Sequence, residues 1–160
     1  MIRVAERADI PLILRCITEL ARYEKLEDQL ELDAEELERW LFDQKGGGTL
    51  IAEKAGEPIG FALYFPTFST FRTRVCMHLE DLFVFPEHRG SGHGLMLLRA
   101  VAKEAVRLGC PRMDWNVLDW NEPAIGFYRA QGAQVLPDWR TCRLEGDALA
   151  TMASAADEQS

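Results

Sequence analysis

The sequence predicts an α/β fold of the α+β kind: one mixed central β-sheet of about six to seven strands, flanked by about four helices. Three observations carry this reading. Apolar residues recur with helical and strand periods in the order β-α-α-β-β-β-α-β-α-β-β. The three consecutive strands in the middle require hairpin connections, so a doubly wound parallel sheet does not fit. A glycine-rich turn, Arg89-Gly90-Ser91-Gly92-His93-Gly94, then leads from a strand into a long amphipathic helix.

Residues 2–5 read as a short strand. Asp9 offers an N-cap with Pro11 in the first turn, and Ile10, Ile13, Leu14, Ile17, Leu20 and Ala21 form one helix face that runs to about Tyr23. Asp33 and Glu36 have capping-box spacing ahead of Leu37, Trp40 and Leu41, a second helix. Gly46-Gly47-Gly48 reads as a loop. Strands at 49–54 and 59–64 flank the turn Ala55-Gly56-Glu57-Pro58. Val75 to Phe85 is a long apolar strand, ended by Pro86. The helix after the glycine turn presents Leu95, Leu98, Val101, Ala102, Ala105 and Leu108, and stops at Gly109. A strand at 113–118 and a helix from Asn121 to Gln131 follow, with Gly132 as the stop. Short strands near 133–136 and 140–144 complete the domain. A single domain over 1–156 with a frayed tail at 157–160 is expected.

With 160 residues, 48% of them hydrophobic, the chain can bury a substantial core, which excludes wholesale disorder. Eighteen basic against 26 acidic residues give a net charge of −8, which argues against a nucleic-acid partner. The longest apolar stretch, near 59–65, is too short to span a membrane, and the N-terminus lacks the apolar core of a secretory signal. Cys16, Cys76, Cys110 and Cys142 form no CxxC pair and match no zinc spacing. They read as reduced, mostly buried thiols of a cytoplasmic protein. His88 and His93 lack a third ligand, so no metal is expected.

The glycine turn carries the strongest functional signal. Glycines at alternate positions let the chain turn tightly and let amides converge with no Cβ in the way, and the following helix adds the positive end of its dipole. A pyrophosphate suits such a site. No Gly-Lys-Ser/Thr follows, so this is not a P-loop. Leu95 stands where the third glycine of a dinucleotide-binding GxGxxG would be.

The turn is similar to the Arg/Gln-x-x-Gly-x-Gly/Ala signature of the GNAT N-acetyltransferase superfamily, and the element order matches that family's fold over nearly the whole chain. The resemblance narrows to the spermidine/spermine (diamine) acetyltransferase branch. Glu19-Leu20-Ala21-Arg22-Tyr23-Glu24 carries it, with Leu79-Glu80-Asp81-Leu82-Phe83-Val84 and Asp119-Trp120-Asn121-Glu122-Pro123. Phe127-Tyr128 and Gly132-Ala133 complete it. The resemblance implies acetyl-CoA as cosubstrate and transfer by direct attack of a small cationic primary amine in a ternary complex: a polyamine, a diamine or a thialysine- or lysine-like compound. It leaves open a protein lysine or N-terminal acetyltransferase and a non-catalytic CoA-binding module. It also implies a homodimer.

Carried over residue by residue, the resemblance places the coenzyme on Arg89, Gly90, Ser91, Gly92, His93, Gly94 and Leu95, on the backbone of Leu82, Phe83 and Val84, and on Asn121, Pro123, Ala124 and Tyr128. An alkylammonium with a pKa of about 10 must lose a proton before attack, and the leaving thiolate must gain one. Glu80 is the candidate base or amine anchor and Tyr128 the candidate acid, against the plainer readings of a salt-bridged glutamate and a core tyrosine. On strand alternation, Glu80, Leu82 and Val84 share one face, and Asp81 and Phe83 the other. Tyr23, Glu24, Glu80, Asp81, Asp114, Trp115 and Asn116 are the candidate acceptor contacts. Asp114-Trp115-Asn116 departs from the His-Phe-Leu-like triplet of polyamine enzymes. Eight acids against Lys25 between residues 24 and 38 form a field that attracts cations.

Overall fold

The computed structural model describes residues 1–157. The chain divides into two compact units, 1–118 and 119–160. The first holds β1 (Ile2–Val4), α1 (Ile10–Glu24), α2 (Ala34–Glu38), β2 (Gly48–Lys54), β3 (Glu57–Ser69), β4 (Arg74–Val84), α3 (His93–Arg107) and β5 (Met113–Asp114). The second holds α4 (Glu122–Ala130) and α5 (Gly146–Asp157).

The strands of the first unit form one sheet in the order β1-β2-β3-β4-β5. The first four are antiparallel neighbours, and β5 runs parallel to β4 through Met77–Met113 and His78–Asp114. The mixed sheet stands as read from the sequence. Its strand count does not: the described residues contain five strands rather than six or seven, and five helices rather than four. Residues 133–136 and 140–144 are not strands; a turn at Pro137-Asp138 separates them and neither gains a ladder partner, without which a short strand has little stability. The strand expected over 113–118 closes after two residues. Helix α5 was not anticipated, although its alanine-rich sequence favours it. Of the tail expected at 157–160, Asp157 ends α5 and the rest lies outside the described residues.

Two helices of the first unit show why the sheet is covered on both faces. Ile10, Ile13 and Cys16 of α1 are buried with Ile51, Phe61, Leu63 and Phe83 of the sheet. Full burial of a large aliphatic or aromatic side chain is worth roughly 1.5–3 kcal/mol, so this cluster is the main fastening of α1. Leu97, Leu98, Val101 and Ala105 are the buried stripe of α3, which packs on β2, β3 and β4. Asp9 does not cap α1 with its side chain. Its carboxylate instead pairs with Arg3 at 2.6 Å and accepts from the Glu6 amide, while Pro11 opens the helix as expected. Asp33 does cap α2, accepting from the Glu35 and Glu36 amides at 2.9 and 3.0 Å.

β3 runs on past the end expected at Tyr64, through Pro66 to Ser69. The ladder with β2 ends at Gly48–Tyr64, so beyond that point β3 has an open edge, where a residue lacking an N–H is tolerated. The three glycines at 46–48 are a packing surface rather than slack. An added Cβ at Gly46 would come within 2.1 Å of the Trp40 indole, at Gly47 within 2.6 Å of it, and at Gly48 within 2.6 Å of the Tyr64 ring. Trp40 in turn stands edge-on to Phe65, 6.0 Å between centroids.

Candidate active site

The glycine turn is built as its spacing implies. Gly90 and Gly92 have φ of +76° and +81°, the left-handed region where only glycine sits without strain. A Cβ at either would meet no atom within 4 Å, so the two missing side chains leave open space above the turn. Gly92 is the N-cap of α3, whose first-turn amides have no acceptor within the helix. Gly94 lies against β4, its ideal Cβ 4.0 Å from Val84. His93 Nδ1 donates to the His88 carbonyl oxygen at 3.0 Å, which ties the ring back along the turn. Converging amides, a helix N-terminus and vacant space suit a diphosphate.

Strand β4 leads into this turn, and its outer edge is open along the way. Its ladder with β5 covers only Met77 and His78, so residues 79–84 keep β3 on one side and no strand on the other among the described residues. Leu82, Phe83 and Val84 lie on this stretch. Asp114 of β5 pairs with Arg112 at 2.7 Å; Trp115 is partly buried and Asn116 exposed.

A β-bulge corrects the alternation expected around the acids. Leu63 pairs with Asp81 and Tyr64 with Leu79, so the register steps over Glu80. Asp81 faces the α1 side, where its partner Leu63 belongs to the core. Glu80 reaches His78 at 3.3 Å, and the His78 ring lies 5.1 Å from Phe65, which packs on that same core. The two acids therefore turn to one side rather than opposite ones. Their surroundings differ. The Glu80 side chain is 52% exposed, and the side chain it meets is a histidine rather than an arginine. Asp81 is partly buried. Burial first, then the charges of Glu80 and Glu24, pushes its carboxyl up to about 7. Burial also raises Glu24, the last residue of α1. Two consecutive acids in a strand covered on both faces were the one available sign of an irregularity there.

Arg89 joins these parts. Its guanidinium sits 4.8 Å from the Tyr23 ring centroid and 5.3 Å from that of Phe83, and its Nε donates to the Val84 carbonyl oxygen at 2.8 Å. The sequence-predicted residues Tyr23, Glu24, Glu80, Asp81, Phe83, Val84 and the turn thus gather around the C-terminal end of β4. In the second unit Asn121 caps α4, accepting from the Ala124 amide at 3.4 Å, with Pro123 in the first turn. Tyr128 lies two turns on, its ring tilted against Phe127 at 5.2 Å.

The thiols are unlike a catalytic set: burial pushes Cys16 up to about 12, and Cys76 is also buried. Cys110 is partly buried and Cys142 exposed, so fewer are enclosed than expected. Among the described residues no group of three or more His, Cys, Asp or Glu could hold a metal ion, and no helix is long and apolar enough to cross a membrane.

A glycine turn at a helix N-terminus with an open strand edge leading to it can hold an extended anionic ligand beside the acids of β4. The profile of the acetyltransferase (GNAT) family matches residues 14–133, and the chain belongs to that family, as an N-acetyltransferase. It is 40% identical to a thialysine N-epsilon-acetyltransferase of Bos taurus, over 96% of each chain. It is 34% identical to a spermidine/spermine N(1)-acetyltransferase-like protein of Homo sapiens, over 95% of this chain and 23% of that one. Among solved structures, an integron cassette protein from the mobile metagenome of V. cholerae superposes with a TM-score of 0.76 at 29% identity, over 96% of each chain.

Proposed function

We propose that this protein acetylates the terminal primary amine of a small lysine-like compound, with thialysine as the representative acceptor and acetyl-CoA as the donor. The observation that carries the reading is the gathering of the open glycine turn and the acidic group Glu24, Glu80 and Asp81 about one strand end. The full-length likeness to a thialysine enzyme supports the acceptor class over a polyamine. The family match crosses residue 118, which supports reading 1–156 as one catalytic domain.

The amides of residues 90–95 and the helix end behind them would hold the diphosphate, and the edge amides of 82–84 the pantetheine arm. When bound, acetyl-CoA supplies a thioester carbonyl and a thiolate leaving group. Glu80, exposed and negative, attracts and anchors the incoming ammonium. Asp81 takes the proton, because a carboxyl that burial raises to about 7 holds a proton far better than an ordinary aspartate. This moves the base from Glu80 to its neighbour. Tyr128 delivers a proton to the departing sulfur. Tyr128→Phe is expected to lower kcat about 100-fold with acetyl-CoA affinity within about threefold of wild type, measured by thiol release and calorimetry; near-normal kcat would remove Tyr128 from that role.

The deciding experiment is thiol release from acetyl-CoA with thialysine, lysine, putrescine, spermidine and a peptide N-terminus. Thialysine and lysine are expected to give the largest kcat/KM. Turnover confined to spermidine or to the peptide would overturn the acceptor class. Absence of any acetyl-CoA binding to folded protein would overturn the whole reading.

A further inference from the structure

The first arginine of the glycine turn has a planar, permanently charged side chain, a natural ligand for a phosphate. Its three contacts commit it elsewhere. One face lies over Tyr23, in the last turn of α1, where a cation also complements the negative end of the helix dipole. It also lies near the Phe83 ring, and Nε–H is spent on the Val84 carbonyl. Phe83 is buried, so it offers a fixed support. Tyr23 precedes Glu24, which stands close enough to Asp81 to raise its proton affinity. The residue after Arg89 is Gly90, the first left-handed position of the turn. A single side chain therefore links the loop that would bind the donor with the helix end that carries acceptor contacts.

We infer that Arg89 is a positioning residue, a clamp that transmits occupancy of the glycine turn to the end of α1 and so makes donor and acceptor binding interdependent. This rests on the reading of the turn as the acetyl-CoA site. Nothing in the contacts requires Arg89 to touch either substrate. Closing the turn on a diphosphate fixes the backbone at 89–92, which fixes the guanidinium, which holds Tyr23 and with it the orientation of Glu24. The chemistry of the clamp calls for a flat cation with a donor at Nε. A lysine carries the charge but has neither the plane nor a donor at that point in the chain.

Hydrogen–deuterium exchange and steady-state kinetics on wild type, Arg89→Ala and Arg89→Lys test this. Arg89 is exposed, so both variants are expected to fold, as far-UV circular dichroism would show. In wild type, acetyl-CoA should slow exchange both at 89–95 and at 20–26. In Arg89→Ala the turn should still be protected and acetyl-CoA affinity stay within about threefold, while protection at 20–26 is lost and the acceptor KM rises about tenfold with little change in kcat. Arg89→Lys should behave like Arg89→Ala. Recovery of acceptor KM by lysine would overturn the clamp, as would protection of 20–26 persisting in Arg89→Ala. A tenfold loss of acetyl-CoA affinity with acceptor KM unchanged would instead make Arg89 a phosphate ligand and also overturn it. If wild type showed no response to acetyl-CoA, the functional reading would fail separately. The clamp would then be judged on ligand-free protein, where faster exchange at 20–26 in Arg89→Ala supports it and equal rates refute it.

Discussion

The proposed donor turn and the proposed acceptor end of this site are made from different materials. Between residues 89 and 94 the groups proposed to bind are main-chain amides, and two glycines contribute by having nothing beyond Cα. At the acceptor end the groups proposed to act are carboxylates, each set by what surrounds it: Glu24 at a helix terminus, Glu80 on a bulge beside His78, Asp81 partly buried. A backbone site tolerates changed side chains and is damaged by added ones. A side-chain site is damaged by removal and is tuned by its neighbours.

The contrast is sharpest at Asp81. Asp81→Asn keeps shape and removes the proposed proton acceptor, and kcat at neutral pH is expected to fall about 100-fold. The rise of wild-type rate through pH 7 should disappear in the variant. The same substitution should make the fold less sensitive to pH. A carboxyl raised to about 7 in the folded chain, against about 4 unfolded, holds more protons when folded between those values. Its contribution is fully present below pH 4 and is lost as pH rises to 7, so wild type should lose stability across that window. Melting temperatures at pH 5 and pH 8 should lie closer together in Asp81→Asn; an unchanged gap would mean Asp81 is an ordinary acid.

A smaller effect tests the other material. Gly92→Ala adds one methyl group at φ +81°, a conformation that costs an L-residue about 1–2 kcal/mol. The acetyl-CoA KM should rise about tenfold while kcat holds; an unaltered KM would show that the turn does not depend on its left-handed glycines. The smallest effect is the most pointed. Ser91→Ala, between the two glycines, should change the acetyl-CoA KM by less than about twofold. A larger loss would mean that the hydroxyl, not the backbone, does the binding.

This division also decides what could be read from the residues. Alternate glycines between a strand and a helix announce a backbone cradle, because only a left-handed turn calls for them. The stripe of α1 was equally plain, and so was most of that of α3, where Leu98, Val101 and Ala105 are buried, although Leu108 is exposed and Leu97 was not read as part of it. The sides taken by Glu80 and Asp81 were not plain, since a one-residue bulge depends on how β3 registers with β4. The full length of β3 was missed for a related reason: beyond Tyr64 it is paired by β4 alone, since β2 ends short of Pro66. Residues 133–144 have strand-like composition without a strand to pair with, and the alanines of α5 form a helix by propensity with little amphipathic pattern to betray it. Arg89 was visible as part of a motif, yet its stacking on Tyr23 joins residues 66 positions apart.

Gly46-Gly47-Gly48 would be chosen on composition as a convenient splice point for a peptide tag or a new chain terminus. It is a poor one. The indole of Trp40 occupies the space those residues leave, and it abuts Phe65 on a strand whose register sets the sides taken by Glu80 and Asp81. An insertion there would evict an aromatic ring and carry the disturbance toward β4, whereas the Ala55-Gly56 turn, with nothing near Gly56, would accept the same cargo quietly.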